Sequence, residues 1–352
     1  MYFYLPVYTR EKAEKKAELK PVSVIICARN EAENLRNFLP SVLEQDYPIY
    51  EVIVVNDCSE DDTYLVLGEF LSRYPHLRVS TITKDPKFTH NKKFAQFIGI
   101  KASKHDLLLF TDADCKPVSS AWIEGMCRNF DEKTSYVLGY GGYLKEKGFL
   151  NAYIRNETFT IAVQYLGMAM RRIPYMGVGR NLAYRKSEFF NNGGFGLHSH
   201  LASGDDDLFV NGNARPENTV TEYSPATQTR SVASSTFEEF AKQKRRHLTT
   251  SQYYKPSHKF ILVLEPLTRM LFYTIFIVLL SFHYLWIEVL AIFGLRMAAQ
   301  ITVLALAQKK LLERGLIPYS LIFDIISPVV NSILYISKGN PKGRKQGVNQ
   351  WS

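Results

Sequence analysis

Two long apolar stretches near the C-terminus restrict the fold of this 352-residue chain more than any other feature. They cover Phe260–Leu285 and Trp286–Ala307, and each is close to the roughly 20 residues that a helix needs to cross a bilayer. Only the short segment HYLW is available for the reversal between them, so we expect a tight helical hairpin. Glu265 and Arg269 are four residues apart in the first stretch, which predicts an ion pair near its start.

A third apolar segment, Ile317–Ile336, leaves two membrane topologies open. Lysine and arginine concentrate in KQKRRH before the hairpin, in QKKLLERG after it and in the tail KGNPKGRKQG. Because basic segments stay in the cytoplasm, all three are expected on that side of a cell (inner) membrane. A spanning third segment would place the tail outside. Asp324, Pro328 and Asn331 also suit a re-entrant or interfacial helix, so both courses are retained.

Composition divides the chain into four parts. We expect a tail and linker over residues 1–20, a cytosolic domain over 21–258, a membrane region over 259–337 and a basic tail over 338–352. The formal net charge of +9 suits nucleic acid, an anionic membrane surface or a phosphorylated substrate. No stripe of Lys and Arg with interleaved aromatic residues is present, so we expect no nucleic acid as a partner. The four cysteines lack a C-x-x-C spacing, which predicts reduced thiols.

Between residues 21 and 117, apolar runs typical of strands alternate with segments typical of amphipathic helices. The expected strands are Val22–Ile26, Glu51–Asp57, Leu77–Thr83 and Leu107–Cys115, and the helices between them begin near Asn30, Asp61 and Asn91. This alternation predicts an α/β domain with a mostly parallel sheet covered by helices and with ligands at the carboxyl ends of the strands. No G-x-G-x-x-G follows the first strand and no P-loop is present, so neither a dinucleotide fold nor a P-loop is supported.

The middle of the chain gives weaker signals. Residues 118–147 are expected to form a helix and then a strand over Tyr136–Leu144. The stretch Phe149–Arg172 is aromatic and rich in Ile, Leu and Met. Its first interpretation is a helix packed in the core, and the alternative is an interfacial helix near the membrane.

The segment LLLFTDADCKP places two carboxylates, Asp112 and Asp114, at alternate positions where a buried strand ends. Side chains at the carboxyl end of such a strand can turn toward one ligand. Hard oxygen ligands suit Mg²⁺ or Mn²⁺, which typically bind one or two carboxylates together with substrate phosphates. The alternative is that both residues only cap a turn.

Six segments occur in an order that resembles family 2 glycosyltransferases, which are inverting enzymes with the GT-A fold. The segments are PVSVIICARNEAENL, VIVVNDCSEDDT, LLFTDADCKP, GRNLAYRKSEFFNNGGF, SGDDDLF and QKRRH. The resemblance covers roughly residues 20–250 and extends to the membrane helices that follow. It implies a GT-A-type, Rossmann-like sheet followed by a C-terminal helical membrane region.

By this resemblance, one group of residues binds a nucleotide-sugar, with UDP as the favoured nucleotide. This group contains Ala28, Arg29, Glu31, Asp57, Lys92, Asp112 and Asp114. Asp57 would contact the uracil or ribose, and Lys92 would neutralise the diphosphate, although Asn91 and Phe97 replace the family's glycine and asparagine near it. Asp114 would bind the metal directly, and Asp112 would assist it or contact the ribose or sugar.

The catalytic base is expected in the acidic run after Gly204. Inversion needs one base that removes the proton from the acceptor hydroxyl during in-line attack. The resemblance implies Asp206 as this base and Asp205 as the second choice, because the third aspartate of the run blurs the register. Crowded carboxylates repel one another, which raises a pKa toward neutrality.

A further group is expected to bind the acceptor and the diphosphate. It contains Gly179, Arg180, Asn181, Gln243, Arg245, Arg246 and His247. Gln243, Arg246 and His247 resemble the family's Q-x-x-R-W motif, with His247 in place of tryptophan, which puts the behaviour of a polysaccharide synthase in doubt. Arg245 and Arg246 suit a phosphate by charge and by the fork geometry of guanidinium.

Together these features predict a membrane-anchored inverting glycosyltransferase of hexosyltransferase type. It would transfer a sugar from a UDP-sugar or another nucleotide-diphosphate sugar to a hydroxyl of a lipid-linked or cell-envelope glycan acceptor. The alternatives are a processive polysaccharide synthase, a metal-dependent nucleotidyltransferase and a catalytically inactive membrane scaffold.

Overall fold

The computed structural model describes residues 19–85, 91–201 and 203–337. The predicted tail over 338–352, and all but the last two residues of the predicted linker over 1–20, lie outside these residues. The strands are β1 Val22–Ala28, β2 Tyr50–Asp57, β3 Leu77–Ile82, β4 Leu107–Asp112, β5 Cys115–Pro117, β6 Tyr136–Gly139, β7 Gly141–Tyr143, β8 Leu182–Arg185, β9 Thr219–Glu222 and β10 Thr229–Ser231. The helices are α1 Ala32–Leu43, α2 Thr63–Arg73, α3 Lys92–Ala102, α4 Trp122–Cys127, α5 Phe149–Met170, α6 Lys186–Asn191, α7 Asp207–Asn213, α8 Phe237–Leu248, α9 Pro256–Ser281, α10 Trp286–Lys310 and α11 Ser320–Ile336.

Within the described residues, seven strands form a sheet in the order β3-β2-β1-β4-β8-β6-β9. Only β8 runs antiparallel to its neighbours, so the predicted mostly parallel sheet is confirmed. Its central strands are apolar runs buried on both faces, as every residue of β1 shows. Helix α3 packs so closely that a Cβ atom on Gly99 would come within 2.7 Å of Ile25. The alternation of strands and helices predicted from the sequence is present in the fold.

The segment predicted as one strand over Tyr136–Leu144 is instead two short strands in different sheets. β6 pairs with β8 and β9, whereas β7 pairs with β10 in a second sheet of order β5-β10-β7. Glycines on both sides of Tyr140 make this change of sheet sterically feasible. A Cβ atom on Gly139 would lie 2.5 Å from Asn181, and one on Gly141 would lie 2.8 Å from Arg180. The chain changes sheets where the turn at residues 179–181 packs against it.

Helix α5 lies in the core, which is the first of the two interpretations of this stretch. Buried residues occur all around it and include the polar side chains of Arg155, Asn156 and Glu157. An interfacial helix would keep one polar face exposed to solvent. The buried polar groups of α5 are bound instead by residues from α8 and from the C-terminal region.

Among the described residues, three helices are long and apolar enough to cross a membrane: α9, α10 and the segment Ile317–Ile336 that contains α11. α9 and α10 are joined by residues 282–285 in the expected tight connection, and Glu265 pairs with Arg269 as predicted. Asp324 of α11 lies 3.3 Å from Arg269 and 3.4 Å from Arg296. Polar residues of α11 thus face partners on other helices, and its spanning or re-entrant course stays a prediction. So do the boundaries proposed between the parts of the chain.

Candidate active site

The carboxyl ends of β1, β2 and β4 meet at one edge of the larger sheet. Ala28 at the end of β1 lies beside Asn56 of β2, while Asp57 ends β2 and Asp112 ends β4. Neighbouring parallel strands therefore bring the predicted donor residues to the same edge, where ligands bind in folds of this kind. The metal motif, the acidic end of β2 and the loop after β1 are arranged as the sequence predicts for one site.

A cavity of about 380 Å³ opens beside the ends of β1, β2 and β3. Arg29 lines it together with Asn56, Tyr64 and Lys84. Asp57 is fully buried and is not among the lining residues of this cavity, whereas its neighbour Asn56 is. The Oδ1 atom of Asn56 is buried without a hydrogen-bond partner among the described residues. Such an atom can accept a hydrogen bond from a ligand. No sequence motif indicated Asn56, Tyr64 or Lys84 as lining residues.

Glu31 lies within electrostatic range of the metal motif. Burial raises the pKa of Glu31 to about 7, a hydrogen bond from Asn34 opposes the rise, and the carboxylates of Asp114 and Asp112 add to it. Asn34 donates this bond at 2.7 Å. The loop after β1 therefore contributes a third carboxyl group to the edge that carries Asp112 and Asp114.

The two aspartates of the metal motif have different partners. Asp112 accepts a 2.7 Å hydrogen bond from the Nζ atom of Lys92. Burial alone would raise the pKa of Asp112, but the Lys92 ammonium holds it below its usual value. Asp114 accepts a 2.5 Å hydrogen bond from the hydroxyl of Ser231 on β10. Ser231 is 117 positions away in sequence, and the motif alone could not identify it.

The side chains of this motif fit a hard divalent cation. One ligand atom from each of Asp112, Asp114 and Cys115 lies within 4.8 Å of the others. Burial, followed by the charge of Asp112, raises the pKa of Asp114, and a cation between the two carboxylates would relieve that repulsion. Burial also raises the pKa of Cys115 well above its usual value, so its sulfur stays a neutral thiol. The carboxylate oxygens are then the ligands available, which suits Mg²⁺ or Mn²⁺.

Lys92 connects the metal motif to the acidic run. Its Nζ atom lies 2.7 Å from Asp112 and 3.7 Å from Asp205. Burial alone would lower the pKa of Lys92, but the surrounding carboxylates raise it well above its usual value, so it stays charged. Asn91, in place of the family's glycine, caps α3 by accepting a 3.0 Å bond from the backbone N–H of Phe94. This cap fixes Lys92 at the first position of the helix.

Asp206 and Asp207 of the acidic run have different partners. Asp206 accepts hydrogen bonds from the backbone N–H groups of Gly179 and Asp207, each at 2.7 Å. Burial, followed by the charges of Asp205 and Asp207, raises the pKa of Asp206 to about 7. Asp207 instead accepts hydrogen bonds from the hydroxyl groups of Thr250 and Tyr254, which tie it to the chain before α9. Asp206 therefore combines a pKa near neutrality with a hydrogen bond to the predicted acceptor segment.

The turn Gly179–Asn181 touches both halves of the site. Gly179 binds Asp206 through its N–H, and the guanidinium of Arg180 lies 4.2 Å from the ring centre of Tyr143. The Nη1 atom of Arg180 is buried without a hydrogen-bond partner among the described residues, which suits an anionic ligand. Asn181 is fully buried and donates to the carbonyls of Tyr140 and Thr227. Asn181 is thus buried in the protein interior, and its two hydrogen bonds hold the turn in position.

The two arginines of helix α8 interact with different parts of the protein. Arg246 lies close enough to Asp112 to lower the pKa of that carboxylate, whereas Arg245 donates a 3.1 Å bond to the hydroxyl of Ser337 beyond α11. Desolvation, followed by the charge of Arg246, lowers the pKa of His247, so its ring is neutral at neutral pH, and the residue stays exposed to solvent. Gln243 lies half-buried on the same helix. Of the predicted group on α8, Arg246 and His247 lie within electrostatic range of the site. Arg246 acts on Asp112, and the charges of Arg180 and Lys92 act on His247.

Residues 2–337 match glycosyl transferase family 21, a family of GT-A type. The probable glycosyltransferase YdaM of Bacillus subtilis (strain 168) is 32% identical over 195 residues, which cover 52% of this chain and 44% of that protein. The hyaluronan synthase of Streptococcus pyogenes is 28% identical over 124 residues, which cover 35% of this chain and 29% of that protein. The chain matches less than half of the length of these curated relatives.

A solved structure shows the same fold over nearly the whole chain. The mannosyltransferase PcManGT from Pyrobaculum calidifontis, in complex with GDP-Man and Mn²⁺, covers 96% of this chain and 94% of its own. The TM-score is 0.61 at 16% identity. The predicted GT-A-type fold followed by apolar helices is confirmed. Because the match to the family extends over almost all of the sequence, the chain belongs to glycosyl transferase family 21.

Proposed function

We propose that the protein is a membrane-anchored inverting glycosyltransferase that uses a nucleotide-diphosphate sugar, with a UDP-sugar favoured. The acceptor is a hydroxyl of a lipid-linked or cell-envelope glycan. One observation carries the proposal: Asp206, a carboxyl group with a pKa of about 7, lies within electrostatic range of the Lys92 that also binds Asp112 of the metal motif. Lys92 thus interacts with both the proposed base and the proposed donor site.

Asp206 acts as the general base of this reaction. With a pKa of about 7, a large fraction of its carboxyl groups is ionised at neutral pH. The carboxylate takes the proton of the acceptor hydroxyl while the hydroxyl oxygen bonds to the anomeric carbon. The bond from that carbon to the diphosphate oxygen breaks on the opposite side, and the nucleoside diphosphate leaves. A single in-line displacement inverts the anomeric centre. Asp205 supports this role because its charge helps to raise the pKa of Asp206.

Three cations surround the place where the diphosphate would bind. Arg180 offers a buried Nη1 atom without a protein partner among the described residues, Lys92 binds Asp112, and Arg246 lies in range of the same aspartate. Charge-assisted hydrogen bonds from guanidinium groups hold phosphate oxygens well. Mg²⁺ or Mn²⁺ held by Asp114 and Asp112 would supply Lewis-acid stabilisation of the leaving diphosphate.

The nucleoside of the donor fits the 380 Å³ cavity between the ends of β1, β2 and β3. Asn56 offers an acceptor atom there, and Arg29 borders the space. Ala28 and Asp57 lie at the adjoining strand ends, and Glu31 lies in the loop after β1. The structural neighbour in complex with GDP-Man makes a GDP-sugar the alternative donor to test beside UDP-sugars.

The acceptor proposal draws on a second cavity of about 920 Å³ between α5, α8 and the apolar helices. Thr160 of α5, Leu248 of α8 and Pro266 of α9 are among its lining residues. A space shared by the catalytic domain and helices suited to a bilayer supports a lipid-linked acceptor. The basic last turn of α10 and the basic helix α8 support a catalytic domain on the cytoplasmic side of the inner membrane.

The test is a product analysis with the full chain in detergent or lipid nanodiscs. A panel of UDP- and GDP-sugars is incubated with Mn²⁺ and a membrane lipid extract, and the released nucleotide is identified. Release of a nucleoside diphosphate together with glycosylation of a lipid supports the proposal. Release of pyrophosphate would identify a nucleotidyltransferase, and a ladder of polymer masses would identify a processive synthase.

A further inference from the structure

The chain between α10 and α11 returns to the catalytic domain and places a charged residue inside it. This docking segment, residues 311–316, carries Glu313, whose side chain is 1% exposed. The carboxylate of Glu313 lies 2.5 Å from the guanidinium of Arg155 on α5 and accepts a 2.8 Å hydrogen bond from the hydroxyl of Tyr140. A buried carboxylate is tolerated only where partners replace its water, and here two catalytic-domain residues do so.

The backbone of the same region is bound by residues around β10. Arg230 donates a 2.8 Å hydrogen bond to the carbonyl of Leu311, and Gln228 donates a 2.9 Å bond to the carbonyl of Lys310. A Cβ atom on Gly142 would lie 3.0 Å from both Arg230 and Glu313, so this glycine leaves room for the cluster. The docking segment therefore contacts the small sheet directly, through Arg230 of β10.

Strand β10 in turn holds the metal motif. Ser231, next to Arg230, donates the 2.5 Å hydrogen bond to Asp114 and pairs with Cys115 across the small sheet. Thr229, on the other side of Arg230, donates a 2.9 Å bond to the carbonyl of Arg180. Three consecutive residues thus connect the docking segment to Asp114 and to the turn that carries Arg180.

We propose that Glu313 is a positioning residue that couples the membrane region to the donor site. By anchoring the docking segment between Arg155 and Tyr140, it fixes β10 and so presents Asp114 and Arg180 to the metal and the diphosphate. This inference rests on the proposed function for the identity of the ligands. Removal of the Glu313 charge leaves Arg155 as a buried cation without its ion-pair partner, which favours undocking of the segment.

Glu313→Gln in the full chain tests this with two readouts. Hydrogen exchange followed by mass spectrometry reports on peptides covering β5 and β10 without any metal. Mn²⁺ titration followed by electron paramagnetic resonance reports the dissociation constant. We expect faster exchange in both strands and a dissociation constant raised about tenfold, the size typical of lost partners around a metal ligand. Tyr140→Phe removes a single hydroxyl and should change the exchange rates and the dissociation constant in the same direction by a smaller amount. If Glu313→Gln folds poorly, Tyr140→Phe serves as the test.

Glu157→Gln is the matched control. Glu157 is also a buried carboxylate on α5. It binds Lys244 of α8 at 2.7 Å and Asn331 of α11 at 3.3 Å, and none of its bonds among the described residues reaches β10. It should leave exchange in β5 and β10 and the Mn²⁺ affinity unchanged. The proposal is overturned if Glu313→Gln and Tyr140→Phe behave like wild type, or if Glu157→Gln has the same effect as Glu313→Gln. If Asp114→Asn binds Mn²⁺ like wild type, the metal assignment fails, and the exchange data still decide the role of Glu313.

Discussion

Lys92→Met should move the pH dependence of sugar transfer toward alkaline pH. The ammonium of Lys92 lowers the pKa of Asp206, against the larger effects of burial and of Asp205 and Asp207. The Nζ atom of Lys92 and the Oδ2 atom of Asp206 lie 3.6 Å and 3.5 Å from the position of a Cβ on Gly179, so they are at most about 7 Å apart. At an effective dielectric constant of about 20, unit charges at about 7 Å interact with roughly 2.4 kcal/mol.

That interaction corresponds to roughly 1.7 pKa units before screening. The side chain of Lys92 is 31% exposed and also serves Asp112, so we reduce the expected rise in the pKa of Asp206 to about one unit. Transfer requires ionised Asp206, so kcat/KM increases as the pH rises through this pKa. The acidic limb of the pH profile of kcat/KM should have its midpoint at about pH 7 in the wild type and at about pH 8 in Lys92→Met.

The assay is nucleoside diphosphate release across the neutral and alkaline range, with kcat/KM fitted at each pH. Lys101→Met, in the last turn of the same helix, is the control and should leave the limb in place. Loss of the diphosphate contact would raise the KM for the donor at every pH, which the fit separates from a shift along the pH axis. An acidic limb that stays at its wild-type position in Lys92→Met would refute the electrostatic reasoning.

Three further outcomes are expected. Arg246→Met should raise the KM for the donor about tenfold, as for a lost charge-assisted bond, whereas Arg245→Met, whose guanidinium binds Ser337, should not; equal effects in steady-state kinetics would contradict this assignment. Asp206→Asn should raise the unfolding temperature at alkaline pH. Burial raises the folded pKa from 3.8 to about 7, so the folded state loses up to about 4 kcal/mol as the pH rises through that window; a thermal scan that shows destabilisation at alkaline pH would argue against it. Ser231→Ala should weaken Mn²⁺ binding about tenfold in titrations, with exposed Ser235→Ala as the unchanged control.

The sequence predicts the central sheet well because its strands are buried on both faces and therefore read as continuous apolar runs. β1 and β2 follow directly from Val22–Ile26 and Glu51–Asp57. The strand expected over Leu107–Cys115 ends at Asp112 instead, and Cys115 begins β5 of the second sheet. The chain over Tyr136–Leu144 is also without charged residues, yet it changes sheets. What decides this is the packing of Asn181 and Arg180 against two glycines, and that contact lies about 40 residues downstream in the chain.

In the candidate site, too, the features set by local sequence are predictable and those set by distant contacts are not. Strand ends place Asp57, Asp112 and Asp114 together, which local sequence can indicate. The separation of Asp206 from Asp207 depends on hydroxyl groups from Thr250 and Tyr254, and the orientation of Asp114 depends on Ser231. Contacts across such separations in sequence arise only in the folded chain.

The most direct test of the central claim compares Asp206→Asn with Asp205→Asn in the full chain, assayed for nucleoside diphosphate release coupled to lipid glycosylation. Loss of a general base typically costs about 10²–10⁴ in rate. We predict a loss of this size in kcat for Asp206→Asn with donor binding retained. Asp205→Asn should retain much more activity, with its acidic limb at lower pH because the charge that raises the pKa of Asp206 is gone. Wild-type kcat in Asp206→Asn, with the larger loss in Asp205→Asn, would contradict the account.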